Sequence, residues 1–174
     1  MCIRDSHLEQ SVELVGDTPG TLVQIITTNP GSEYVLSFAF ASNPERDGIM
    51  VGLVEVVGSK GILFEQSFEH SGSDAWEMNY ESIRACFVAD ADSSLIRFSA
   101  VNEDNDGGVV IDEVQIVEIL LGDVDQDGDI SLLDVEPFIS AITGADYIAE
   151  ADTNCDGFVS LLDVQPFVNI LTGG

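Results

Sequence analysis

The chain spells one acidic phrase twice near its C-terminus, GDVDQDGDISLLDVEPF from Gly122 and EADTNCDGFVSLLDVQPF from Glu150, and its first hundred residues hold nothing comparable. Asp123 and Asp152 open equivalent runs 29 residues apart, the mark of an internally duplicated loop-plus-helix unit. Aligned on them, oxygen-bearing side chains fall on the first, third, fifth, ninth and twelfth places. These are Asp123, Asp125, Asp127, Ser131 and Asp134 in one copy, and Asp152, Asn154, Asp156, Ser160 and Asp163 in the other. A sixth-place glycine (Gly128, Gly157) permits a sharp turn, and the seventh residue (Asp129, Phe158) can offer its main-chain carbonyl whatever its side chain. Calcium takes six to eight hard oxygens at about 2.3–2.6 Å in a flexible shell, which this alternation can supply. Two Ca2+ ions are therefore expected, one per loop, with these twelve residues as ligands. Empty loops would crowd carboxylates together, so cation binding is expected to be coupled to folding of this segment. Ile130 and Val159, at the eighth places, are expected to join the loops in a short two-stranded contact.

Charge narrows the function classes. Thirty-two acidic residues face five basic ones, a net charge of -27, and nothing beyond Arg97 is Lys or Arg. That balance argues against nucleic acid and anionic membranes, which need basic patches, and for cations or basic partners. No apolar run reaches the roughly 20 residues of a spanning helix, so no membrane insertion is expected. Three cysteines, Cys2, Cys86 and Cys155, suggest neither a disulfide framework nor a zinc site. The opening MCIRDS has the character of a translated sequencing adapter, so residues 1–9 are set aside as a non-native or disordered segment, with the true N-terminus and any secretion signal lying outside the sequence.

Residues 10–120 read as a mainly β domain. Alternating or short apolar runs, punctuated by Gly, Pro, Asn, Asp and Ser, place strands at 11–14, 20–27, 33–41, 50–57, 62–68, 76–83, 85–89, 95–101 and 109–119. In YVLSFAFA the bulky Tyr34, Leu36, Phe38 and Phe40 take every second place, which suits a strand with one core-facing side. An antiparallel jelly-roll β-sandwich is expected, followed over 121–174 by a small α-helical module. Pro137 and Pro166 require each of its helices to start late, near the twelfth-place Asp, or to kink.

The doubled loop, with Asp rather than Glu at the twelfth place and a strand rather than a helix before the first loop, resembles a type I dockerin over Gly122 to Gly174. That resemblance implies two EF-hand-type calcium loops and docking onto a cohesin-like or cell-surface protein. At the places where cellulosomal dockerins often read their partner stand Leu132, Leu133, Leu161, Leu162, Ser140, Ala141, Asn169 and Ile170, with no basic pair. The leucines can pack an inter-repeat core or meet a partner. Upstream, QSVELVGDTPGTLVQIITTNPGSEYVLSFAFASNP, Trp76, SSLIRFSA and GGVVIDEVQI resemble the domain of unknown function 642 family over Gln10 to Ile119. This second resemblance implies a galactose-binding-like jelly roll, here short of about one strand at its start, which would leave a neighbouring strand exposed.

The glycan site is less legible. Trp76 and Tyr80 are candidate stacking residues for a polysaccharide, with burial in a strand as the competing role. Asp112 and Glu113 need a partner in their apolar strand, either a third, structural ion in the jelly roll or a capping hydrogen bond, while Asp104 and Asp106 read as a solvated loop. His7 and His70 are the chain's two histidines, and no Ser-His-Asp or Cys-His set is suggested. The expected function is that of a secreted, extracellular or cell-surface, non-catalytic calcium-binding protein that joins a carbohydrate-binding jelly roll to an attachment module of a polysaccharide-degrading or surface assembly. The alternatives are a fragment of a larger glycoside hydrolase and a purely structural surface protein.

Overall fold

The computed structural model describes residues 11–15, 18–101, 108–144 and 147–173. Among the described residues eight strands are formed: β1 (Val12–Glu13), β2 (Thr21–Thr27), β3 (Glu33–Ser42), β4 (Met50–Val57), β5 (Ile62–His70), β6 (Glu81–Val88), β7 (Ser93–Ala100) and β8 (Val109–Ile119). They make two four-stranded antiparallel sheets, ordered β1-β8-β3-β6 and β2-β7-β4-β5. Each sheet interleaves strands from both ends of the domain, which is the winding of a jelly roll. Asp104 and Asp106 lie outside the described residues.

The alternation in β3 works as expected. Tyr34, Leu36, Phe38 and Phe40 are buried between the sheets, with Val54, Val56, Phe68, Phe98, Val109 and Ile111. Phe38 meets Phe68 and Phe98 edge-on at 5.2 and 4.9 Å between ring centroids, the arrangement in which positive ring edges face negative ring faces. A Cβ at Gly52 would strike the Phe68 ring, so β4 needs glycine there for β5 to pack its aromatic.

Two expected strands, 76–83 and 85–89, are instead the single strand β6, and 76–80 belongs to the loop before it. Arg84 does not break the strand because it projects outward, while its neighbours Ile83 and Ala85 pack toward the interior. On the β1 side of the sheet, pairing reaches only Val110 and Ile111 among the described residues. Beyond this, Val114 and Ile116 line a cavity of about 250 Å3 between the sheets with Leu22, Ile26, Ile96 and Phe98.

The C-terminal residues form helices α1 (Val135–Thr143) and α2 (Val164–Thr172), each entered through a 3-10 turn, Leu132–Asp134 or Leu161–Asp163. Pro137 and Pro166 sit in the first turns of these helices, where a missing N–H breaks no intrahelical bond, so the helices start late. Phe138 and Phe167 stack face to face, 3.9 Å apart and 7° from parallel, at the centre of a cluster with Val124, Ala141 and Ala151.

The module sits on the outer face of the β8-β3-β6 sheet. Val35, Ile119 and Leu121 pack there with Ala149 and Ile170, and the Gly122 amide donates to the Glu150 carbonyl at 2.8 Å. Cys86 of β6 and Cys155 of the second loop form a disulfide across this seam. That corrects the reading of the cysteines as uninvolved in disulfides. The two lie 69 residues apart in sequence, and only the folding of β6 against the second loop makes them neighbours.

Candidate metal centre

Both acidic loops close in the same way. In the first, Asp123 Oδ1 and Asp125 Oδ1 accept from the Asp127 amide, Asp123 Oδ2 from Gly128 at 3.0 Å, and Asp127 Oδ1 from Asp129 at 2.9 Å. The second repeats this: Asp152 Oδ1 and Asn154 Oδ1 accept from Asp156, Asp152 Oδ2 from Gly157 at 2.9 Å, and Asp156 Oδ1 from Phe158 at 2.9 Å. Left-handed backbone at the fourth place (Gln126, φ 59°; Cys155, φ 59°) and at the sixth (Gly128, φ 94°; Gly157, φ 89°) bends each loop into a tight turn.

The twelfth-place carboxylates anchor the far side. Asp134 accepts from Asp125 and, at 2.7 Å, from Ser131; Asp163 accepts from Asn154 and, at 2.8 Å, from Ser160. Ser131 and Ser160 reciprocate by capping the 3-10 turns through Leu133 and Leu162, so each ninth-to-twelfth run is a capping box. Both aspartates are completely buried. Carboxylate oxygens of Asp123, Asp125 and Asp134 lie within 4.8 Å of one another.

Burial raises the Asp125 carboxyl above its ordinary range, and the charges of Asp127, Asp134 and Asp123 add to that. Burial likewise raises Asp152, against the hydrogen bonds from Tyr147 and Gly157. Asp134 is lowered although burial pushes it up, because amide donors from Ser131, Asp125 and Val124 outweigh burial. A concave set of hard oxygens with inward carboxylates suits a hard cation of calcium size.

Other expected features fall differently. No strand pairing joins Ile130 to Val159 among the described residues; the leading ends of the repeats pair instead, through Gly122 and Glu150, and Val159 packs beneath the helices. Leu132, Leu133, Leu161 and Leu162 are 69–79% exposed, which removes the option that they fill an inter-repeat core. Trp76 is 97% exposed on the loop before β6 and Tyr80 is half-buried at its end, so neither lies in a strand. Asp112 Oδ1 accepts from the Glu113 amide at a bulge where Glu113 takes φ 50°, a local cap of the kind expected.

His70 is buried, with Nδ1 accepting from the Ser42 amide and Nε2 donating to the Asn79 carbonyl, which occupies both ring nitrogens. Sequence reasoning missed Tyr147, from the segment between the repeats, and Arg84, from β6 of the sandwich, which both pack beside the second loop. Tyr147 donates its hydroxyl to Asp152 Oδ2 at 2.8 Å, and its ring lies 4.0 Å beneath the Arg84 guanidinium. Burial and the Asp152 carboxylate push the Tyr147 hydroxyl well above the usual phenol range. A lone Tyr five places before a loop carries no periodic signal. Beside these groups opens a cleft of about 520 Å3 lined by Gln66, Ser82, Arg84, Asp156 and Phe158.

No family model and no curated protein matches the chain. Among solved structures it is similar to one described as CBM4, at 13% identity and TM-score 0.46, over 57% of this chain and 61% of that one, less than two thirds of its length. It is also similar to the C-terminal domain of EclA, a sugar-binding protein (14% identity, 67% and 83% coverage, TM-score 0.49). A third is the carbohydrate-binding module CBM6cm-2 of Cellvibrio mixtus lichenase 5A in complex with cellotriose (14%, 69% and 86%, TM-score 0.46). At TM-scores below 0.5 the jelly-roll assignment rests on the strand order described above. The class defined by fold and site is a jelly-roll sandwich that carries a duplicated acidic loop–helix module fastened by a disulfide.

Proposed function

We propose that this chain is a secreted, non-catalytic calcium-binding protein in which a carbohydrate-binding jelly roll carries a dockerin-like attachment module. The matched hydrogen-bond pattern of the two acidic loops, repeated bond for bond with one buried aspartate closing each, carries this reading. Asp123, Asp125, Asp127, Ser131 and Asp134, with the Asp129 carbonyl, would hold one ion; Asp152, Asn154, Asp156, Ser160 and Asp163, with the Phe158 carbonyl, would hold the other. Calcium supplies the charge that cancels carboxylate repulsion, and the loops' amides hold the carboxylates in place. The Cys86–Cys155 disulfide favours an oxidising, extracellular or cell-surface location.

The exposed leucine pairs at the tenth and eleventh places suit an apolar patch on a cohesin-like or cell-surface partner, and Trp76 offers an open ring face to a sugar. Calorimetric titration of metal-free protein with Ca2+ is expected to give two ions per chain and none with the D134N/D163N double variant. Retention on insoluble cellulose, xylan or chitin, lost in W76A, would support the carbohydrate half; equal retention of W76A would move the sugar contact elsewhere. A purely structural surface role is the second reading, favoured by the covalent fastening of the module to the sandwich. A calcium-dependent pull-down that captures no protein partner for the leucine face would favour it.

A further inference from the structure

We propose that the second cation site belongs to both modules: β6 of the sandwich, through Cys86 and Arg84, positions the second loop for calcium, so the two loops bind unequally and only the second depends on the disulfide. This rests on the calcium reading above. The loops are close copies in their own hydrogen bonds, yet their outer contacts differ.

The first loop has no covalent tie at its fourth place, where Gln126 borders an open cleft shared with Gly31, Ser32 and Glu33 of the sandwich. Gln126 takes left-handed backbone there, and the Asp123 carboxylate is held by the amides of Asp127 and Gly128 from its own loop. At the matching place of the second loop, the left-handed residue is Cys155, fixed covalently to a central part of β6. Asp152 gains a donor from outside the loop as well, since Tyr147 Oη bonds Oδ2 while Gly157 bonds the same oxygen. Oδ1 is left with the Asp156 amide and spare lone-pair capacity. Arg84, two residues before Cys86 and on the same outward face of β6, covers the Tyr147 ring at 4.0 Å. The first-place aspartate and the fourth-place backbone are thus both referenced to one strand.

An empty acidic loop must be gathered against its own repulsion before it can hold an ion. A loop already held in the turn loses less freedom on binding and therefore binds more tightly. Groups that orient a metal ligand from behind commonly change metal affinity by about 10- to 100-fold. Tyr147 and the disulfide are positioning groups in this sense; neither supplies a calcium ligand.

The test uses the full chain and Ca2+ as the probe, with each loop isolated in turn. D123N leaves the second loop to bind and D152N leaves the first. Each is titrated with Ca2+ by calorimetry, oxidised and after dithiothreitol, which gives two electrons and two protons to the disulfide and closes to its own cyclic disulfide. Reduction is expected to weaken binding in D123N about tenfold and to leave D152N unchanged. Y147F in the D123N background is expected to weaken binding by several-fold with the disulfide intact. That readout would not move if Tyr147 merely filled space, because the ring and its Arg84 contact remain. Binding in D123N that ignores both reductant and Y147F, or an equal loss in D152N, would overturn the proposal while leaving calcium binding standing. An oxidised wild-type chain that takes up no Ca2+ would overturn the calcium reading and this inference with it.

Discussion

Glu55 is a carboxylate on β4 that is nearly enclosed, and it is tolerated because Arg97, directly opposite on β7, bonds it with both Nε and a terminal nitrogen at 2.7 Å. The Arg97 bonds hold the carboxyl below its ordinary 4.5, against the upward push of burial. Because the folded group keeps its charge to lower pH than the unfolded one, its contribution is complete above the ordinary value and is lost as pH falls through the folded value. Arg97 is 39% exposed, so solvent screens the pair, and E55Q is expected to cost about 1 kcal/mol at neutral pH rather than the several that a fully enclosed pair would lose. Thermal melts of both proteins from pH 7 downward should converge in the acid range. A gap that persisted unchanged below the carboxylate range would show that the charge is not the source. Trp76 is the opposite case: at 97% exposure its removal should change stability by less than about 0.5 kcal/mol, so any loss of polysaccharide retention in W76A can be read as lost contact.

At the scale of elements, the helical module depends on a single aromatic stack. Its buried cluster is Val124, Phe138, Ala141, Ala151 and Phe167, and the two rings supply most of its volume. F167A is expected to cost about 3–5 kcal/mol, more than so small a core can lose, so the helical far-UV signal should vanish while the β signal of the sandwich persists. Retained helicity in F167A without calcium would mean that the sandwich face, rather than the stack, holds the helices. Much of this was legible because local rules specify it: period-two alternation for β3, and helices that Pro137 and Pro166 require to start late or to kink. The residues of β6 were misread as two strands because an outward Arg84 in an apolar run looks like a break until the facing strand is known. The oxygen-bearing places of the loops could be read from spacing alone, since one tight turn joins them by hydrogen bonds between near neighbours. Tyr147 and Arg84 could not, because their contact arises where β6 meets the module, a juxtaposition that no local pattern encodes.

For the whole molecule, the question is whether sandwich and module behave as one cooperative body. The seam between them joins Val35, Ile119 and Leu121 to Ala149 and Ile170, a small apolar contact for holding a charged module, and the disulfide supplements it. A cross-link between residues 69 apart restricts the unfolded chain by roughly 4 kcal/mol in the loop-entropy account. For a chain of this size, that corresponds to a fall of about 10 °C in melting temperature when the link is removed. The C86S/C155S double variant should therefore melt about 10 °C below the wild type in calcium. It should also show two calorimetric transitions where the oxidised protein shows one, because the module can then open while the sandwich remains folded. Raising calcium should move the lower transition upward and leave the upper one in place, since every proposed ligand comes from the module. A single transition in the variant, within about 2 °C of the wild type, would mean that the apolar seam holds the two parts together without the covalent link.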